Sequence, residues 1–316
     1  MSDKKIIAVV GATGAQGGGL VRAILNHRKS PFAARAITRN AKSDAARALT
    51  DEGAEIVEAD VDDVKSLTKA FDGAYGAFCV TFFWAHMKPE LELSQARNMA
   101  KAAKDANLRH VIWSTLEDTR EFVPLSDDRM PTLMGKYKVP HFDAKAEANK
   151  LFTDLGVPTT FLVTSFYWDN FIHFGMGPKK GADGKLALTL PMGSKKLAGI
   201  AAEDIGKAAY GIFEKGEEMI GKTIGVAGGH LTGEQMAKGL SKALGKEVKY
   251  NEVPPAAYRA FGFPGAEDLG NMFQFNTEFE QDCCDARSIS QTKALNPELL
   301  NFDKWLAQSK DRIPLE

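Results

Sequence analysis

Over the first half of the chain, short unbroken apolar runs take turns with amphipathic stretches. That alternation predicts strands buried on both faces with helices between them. Strands are expected at 6–10, 34–38, 55–59, 76–80, 110–114 and 159–163, and helices at 18–25, 41–52, 64–71 and 91–107, with one more helix ending near Gly156. Strand and helix alternating at this spacing mark a parallel sheet with crossover helices, an α/β doubly wound fold. Beyond Asn170 the pattern loosens. Turn residues at Gly177-Pro178-Lys179-Lys180, Asp183-Gly184 and Pro191-Met192-Gly193 surround an apolar run at 186–190, and helical periodicity returns at 202–214 and 233–244.

The first strand runs into Gly11-Ala12-Thr13-Gly14-Ala15-Gln16-Gly17, a G-x-x-G-x-x-G turn. Gly11 permits the sharp turn, Gly14 lets the backbone approach a pyrophosphate, and Gly17 lets the next helix pack closely. Leu20, Val21, Ile24 and Leu25 give that helix a buried stripe, so the glycines sit in the strand–turn–helix setting a dinucleotide site needs. The chain accordingly reads as a Rossmann domain over 1–155, to which the strand at 159–163 returns. A smaller mixed α/β lobe over 164–316 forms the cleft and is partly interleaved with the first.

The strand at 34–38 ends about twenty residues after the glycine turn, where the ribose-reading residue of such folds sits. Asp or Glu there would favour NAD, whereas this chain presents Thr38, Arg39, Asn40 and Lys42. A guanidinium can hold a 2′-phosphate while stacking beside adenine, so NADP(H) is the preferred cofactor and NAD(H) the second option. The plainer alternative makes Arg39 and Lys42 solvated loop charges. Asp60-Val61-Asp62-Asp63 reads as an adenine-edge loop that also caps a helix. Thr81-Phe82-Phe83-Trp84 either lines a nicotinamide pocket or closes the core. The aromatic and glycine-rich stretch 258–273 is either a cleft wall or core of the small lobe.

At 316 residues and 44% hydrophobic content the chain can bury a large core. Its 40 basic residues against 41 acidic ones lack the excess of a direct nucleic-acid binder. Met1-Ser2-Asp3-Lys4-Lys5 leads into a strand without a leader pattern, and no apolar run is of bilayer-spanning length. A cytoplasmic protein with no membrane partner is expected. Cys79 and the adjacent Cys283 and Cys284 form neither a disulfide framework nor a metal-ligand spacing, and the pair reads as packing rather than a redox switch. The histidines are scattered singly, so no metal site is expected.

The glycine turn, Thr38-Arg39-Asn40, the stretch Pro140-His141-Phe142-Asp143-Ala144-Lys145-Ala146-Glu147, the segment Phe261-Gly262-Phe263-Pro264-Gly265-Ala266 and the run at 296–306 occur in an order and spacing that resembles the NmrA-like family of atypical short-chain dehydrogenases. The resemblance spans about residues 4–313. It implies a Rossmann domain with a small C-terminal lobe, a preference for NADP(H), and in several members a role in sensing the cofactor rather than turning it over. By the same resemblance Gly11, Thr13, Gly14, Ala15 and Gln16 hold the pyrophosphate, and Arg39, Asn40 and Lys42 hold the 2′-phosphate and adenine. Thr81, Phe82, Phe83, Lys145, Ser165, Phe166, Tyr167 and Trp168 surround the nicotinamide end. A lysine that some members carry after the fourth strand has no match, Lys88 and Ser94 being nearest.

Active short-chain dehydrogenases place Tyr and Lys four apart on one helix face. Here Lys145 is present, but the position four before it is His141; Tyr137 lies two turns earlier, with Pro140 between as a helix start. A helix N-terminus disfavours a charged histidine, so His141 is either a catalytic group or a capping and packing residue. The related phenylcoumaran and isoflavone reductases use a lysine in this region. That keeps open a reductase in which Lys145 relays a proton while an apolar quinone, enone or carbonyl compound is reduced in an aromatic cleft. The first reading is a redox sensor in which Lys145 anchors ribose and occupancy shifts a conformational equilibrium. A protein partner at the C-terminal lobe fits either reading, as does a monomer or a homodimer.

Overall fold

The computed structural model describes residues 4–181 and 183–315; Met1, Ser2 and Asp3, where the sequence shows no leader pattern, lie outside the described residues. The strands are β1 (Lys5–Val9), β2 (Phe32–Thr38), β3 (Glu55–Glu58), β4 (Gly76–Cys79), β5 (His110–Thr115), β6 (Thr159–Val163), β7 (Phe166–Tyr167), β8 (Lys179–Lys180), β9 (Leu186–Leu190), β10 (Lys196–Ile200), β11 (Thr223–Gly225), β12 (Gly229–Thr232) and β13 (Val248–Glu252). Seven of them form one sheet in the order β11-β6-β5-β4-β1-β2-β3. Every pairing in it is parallel. The order reverses between β1 and β4, the crevice where doubly wound sheets bind ligands.

Helices α1 (Ala15–Asn26), α2 (Asp44–Asp51), α3 (Val64–Phe71), α4 (Pro89–Asp105) and α5 (Pro140–Asp154) connect the first six strands. The second half adds α6 (Asn170–His173), α7 (Ala202–Lys215), α8 (Gly233–Leu244), α9 (Pro255–Arg259) and α10 (Ala266–Glu278), then α11 (Glu280–Asp285), α12 (Ile289–Leu295) and α13 (Phe302–Ser309). One apolar cluster joins α1, α2 and α7 to one face of the large sheet, and another joins α3, α4 and α5 to the opposite face. A third fills the small lobe, built on the sheets β12-β10-β7 and β13-β9-β8. The second half of the chain first lays down small-lobe strands β7 to β10, then returns to the large sheet with α7 and β11, and then goes back to the small lobe with β12 and β13.

Local chemistry sets the element ends. The predicted helix at 41–52 begins only at Asp44, because Asn40 accepts a bond from the Lys42 N–H and Ser43 caps the helix through Ala46 N. Pro89 fixes the first turn of α4, and Glu90 and Glu92 follow it where the helix dipole favours acids. Helices α1 and α7 meet through glycines: a Cβ at Gly206 would lie 2.2 Å from Leu20 N, and one at Gly19 2.4 Å from Glu203 O. Gly206→Ala is therefore expected to cost about 1–3 kcal/mol through forced overpacking. Urea unfolding measures it, and an unchanged midpoint would show that the two helices part without penalty.

Candidate functional site

Gly11 turns the chain at φ 66°, a left-handed conformation that favours glycine. A Cβ at Gly17 would lie 2.4 Å from the Gly11 carbonyl oxygen, so α1 can sit this close to the turn only without one. Gly14 is the N-cap of α1, no side chain caps that helix, and no acidic residue stands in its first turn. Its N-terminal N–H groups are thus open to an anion, and Thr13 and Ala15 lie exposed beside them. The turn fits a pyrophosphate.

On the far side of β1, Arg39, Asn40 and Lys42 occupy an exposed loop after β2. Asn40 holds the loop by accepting from Lys42 N at 2.9 Å, and Glu58 accepts from Ala41 N at 3.2 Å. Among the described residues Arg39 has no ion-pair partner. Asp63 caps α3, while Asp60 accepts from Asp62 N and the Val61 carbonyl accepts from Asn98.

From Gly14 and Gln16 a cavity of about 1100 Å³ runs between the large sheet and the small lobe. It is bordered by Thr81, Phe82, Phe83 and Trp84, by Ser165, Phe166 and Tyr167, and by His141 and Lys145. The 258–273 stretch serves both roles foreseen for it: Tyr258, Phe261, Phe263, Leu269 and Met272 border the cavity, and Phe273 lies in the core. Trp168 does not reach the cavity. It is 1% exposed, 5.2 Å from the Phe302 ring and 6.1 Å from that of Trp305. The space its indole fills exists because position 199 is glycine; a Cβ there would lie 2.3 Å from the indole nitrogen. Lys88 is exposed at the start of α4 and Ser94 half-buried, and neither borders the cavity.

Gln16 spans the crevice, its amide donating to the Tyr167 hydroxyl at 2.5 Å and accepting from Ser114 at 2.9 Å. Lys145 stands at the cavity wall with its Nζ 2.7 Å from Glu92 Oε1, 2.6 Å from Thr81 Oγ1 and 3.4 Å from the Thr81 carbonyl. The Thr81 hydroxyl donates in turn to Glu92, closing a three-membered ring of contacts. Burial raises the Glu92 carboxyl, but the charge of Lys145 and hydrogen bonds from His86, Lys145 and Thr81 outweigh it and hold it at about 2. One turn earlier on α5, His141 Nδ1 is 2.5 Å from Asp268 Oδ1, and the His141 backbone N–H reaches Asp268 Oδ2 at 3.2 Å. A carboxylate from α10 thereby serves the N-terminus of α5, whose N-cap Val139 offers no side-chain acceptor. Tyr137 precedes that helix, buried, with Lys136 and Arg120 beside its ring.

Glu92 and Asp268 were missed in the sequence. Glu92 looks like any first-turn acid of an amphipathic helix, and Asp268 is 127 residues from its partner. The three cysteines are free, and burial pushes the Cys283 thiol up to about 12, in keeping with packing. Among the described residues no cluster of His, Cys, Asp or Glu is arranged to hold a metal, and no helix is long and apolar enough to cross a membrane.

A doubly wound parallel sheet with a glycine turn at its switch point, beneath a second, smaller lobe, defines a Rossmann-type fold. The chain belongs to the NmrA-like family, whose profile matches residues 3–306. A similar relative is the NmrA-like family domain-containing oxidoreductase FrzB of Cladobotryum sp., 29% identical over 291 residues, covering 85% of this chain and 83% of FrzB. Among solved structures, NmrA, a negative transcriptional regulator determined in complex with NAD and with NADP, is 23% identical. Its two complexes have TM-scores of 0.77 and 0.76, covering 96% of this chain and 95% of that one. Triphenylmethane reductase of Citrobacter sp., complexed with NADP(H), is 22% identical at a TM-score of 0.74, covering 96% of this chain and 99% of that one.

Proposed function

We propose that this protein is an NADP(H)-dependent reductase of a flat, apolar quinone, enone or carbonyl compound, with NAD(H) a weaker cofactor. The observation that carries the reading is the aromatic cavity, which continues from the glycine turn past Lys145 and His141 to Tyr258 and Met272 of the small lobe. Pockets of roughly 300–1,000 Å³ hold a drug-sized ligand, so this one has room for an acceptor beside a nicotinamide ring. The oxidoreductase relative and the NAD- and NADP-bound neighbours support the same reading.

The bound cofactor supplies a hydride; the chain binds and orients. Gly11, Thr13, Gly14, Ala15, Gln16 and Gly17 hold the pyrophosphate at the start of α1, Arg39, Asn40 and Lys42 hold the 2′-phosphate, and Asp60 and Val61 flank adenine. Phe82, Phe83, Ser165, Phe166 and Tyr167 enclose the nicotinamide end and the acceptor. Lys145, tied to Glu92, contributes a fixed positive charge beside Thr81. That tie also favours a second reading, a cofactor sensor, because a lysine with all its hydrogens engaged and no tyrosine partner is a poor relay. NADPH oxidation at 340 nm against a panel of quinones and enones separates the two. The reductase reading expects acceptor-dependent oxidation; NADPH binding with none across the panel would leave the sensor.

A further inference from the structure

We propose that the proton accompanying hydride delivery comes from His141, aligned by Asp268 of the small lobe, and not from Lys145. The proposal rests on the reductase reading.

An ammonium has three hydrogens, and those of Lys145 face Glu92, the Thr81 hydroxyl and the Thr81 carbonyl. Giving one up would leave a fully buried carboxylate beside a neutral amine, an uncompensated charge. Among the described residues, no group on the buried side of the pair offers a proton to replace it. His86 Nδ1 accepts the Lys88 N–H at 3.0 Å, so the ring's proton sits on Nε2, which faces Glu92 Oε2 at 3.5 Å. That neutral imidazole steadies the carboxylate and cannot refill the lysine without becoming an imidazolate.

His141 is arranged in the opposite way. An ionised carboxylate only accepts, so the 2.5 Å contact to Asp268 puts a proton on Nδ1 and leaves Nε2 without a protein partner among the described residues. The ring borders the cavity and is held among aromatics, 4.7 Å from Trp84, 4.7 Å from Phe142 and 5.9 Å from Phe83 between centroids. The Asp268 charge opposes the repulsion that the start of α5 exerts on a charged ring. His141 stands where short-chain dehydrogenases carry the tyrosine, four residues before the lysine on the same helix face.

In the step, the hydride of NADPH forms a C–H bond at the carbon of a carbonyl or enone, or an O–H bond at one oxygen of a quinone, and the displaced π pair moves to the carbonyl oxygen or, through the ring, to the other quinone oxygen. That oxygen takes the Nε2 proton of the doubly protonated ring, and the cofactor leaves as NADP⁺. His141 remains with its Nδ1 proton on Asp268 and regains the other from cavity water.

The test compares His141→Phe and Asp268→Asn on two acceptors: a quinone, whose reduction needs a proton, and a cationic triarylmethane dye, which hydride alone neutralises. His141→Phe is expected to lower kcat on the quinone by about 10²–10⁴-fold, the usual worth of a positioned acid, with the NADPH Kd unchanged. Its loss on the dye should be at least tenfold smaller. Asp268→Asn should fall between wild type and His141→Phe on the quinone. Independently of turnover, ¹⁵N NMR of the cofactor-free protein should show His141 protonated at Nδ1, and Asp268→Asn should lose that preference. Equal losses on both acceptors, an unaffected quinone rate, or Nδ1 unprotonated in wild type would overturn the proposal while wild-type turnover keeps the reductase reading. A wild type that reduces neither acceptor removes the reductase reading itself.

Discussion

Glu92→Gln is expected to destabilise the fold by about 3–5 kcal/mol, the cost of stranding one partner of a buried ion pair. Glu92 is fully buried, and its carboxylate is the counter-charge of the Lys145 ammonium. Glutamine keeps the shape and removes the charge, so the ammonium stays buried against a neutral amide. Because the partner is the source of the penalty, Glu92→Gln combined with Lys145→Met should recover most of the loss; the double-mutant cycle isolates the pair. The pH dependence has a definite sign. The folded carboxyl is held at about 2 against an ordinary 4.5, so its contribution is complete above pH 4.5 and is lost as pH falls towards 2. Wild type should therefore lose more stability than Glu92→Gln across that window. Urea unfolding at pH 7 and in the acid range reads both effects. A Glu92→Gln protein within about 1 kcal/mol of wild type, the size of an exposed pair, would mean that Lys145 is not held by this charge.

Arg39→Ala is expected to weaken NADPH binding by about 10–100-fold and to leave NADH binding unchanged, since hydrogen bonds to a charged group are worth about 1.5–3 kcal/mol. The loop after β2 presents this guanidinium in the open with no ion-pair partner among the described residues, while Asn40 and Glu58 engage backbone N–H groups and shape the loop. Only the 2′-phosphate distinguishes the two cofactors, so a selective loss identifies its reader. Calorimetry with each cofactor measures it. Equal weakening of both would give Arg39 an adenine-stacking role instead, and no change would return it to a solvated loop charge.

Much of this fold was legible because its determinants are local. Apolar runs at 6–10 and 110–114 announced strands buried on both faces, and the glycines at 11 and 17 stand where a left-handed turn and a helix approach require them. Tertiary packing set what local pattern could not. Trp168 follows Tyr167 directly in sequence, yet it fills a pocket opened by Gly199, a partner no spacing rule connects to it. The site's polar wiring was hidden for the same reason. Lys145 and His141 were visible from their spacing on one helix, whereas Glu92 and Asp268 come from α4 and α10, and only the folded chain brings them within 2.7 and 2.5 Å. His141 changes meaning with that contact: at a helix start alone it is a poor acid, and against Asp268 it has a partner for its charge.

The most direct measurement follows label. NADPH carrying deuterium at C4, prepared in each of its two stereochemical forms, is incubated with the protein and an enone or simple carbonyl compound that it consumes, whose reduction fixes the hydride on carbon, and the product is examined by mass spectrometry. The account predicts one deuterium in the product from one of the two forms and none from the other, because a site that holds cofactor and acceptor in one orientation delivers from a single face of the nicotinamide. Deuterium in the product from neither form, with the labelled NADPH recovered intact from a protein that binds it, would contradict hydride transfer and leave a protein that only holds the cofactor.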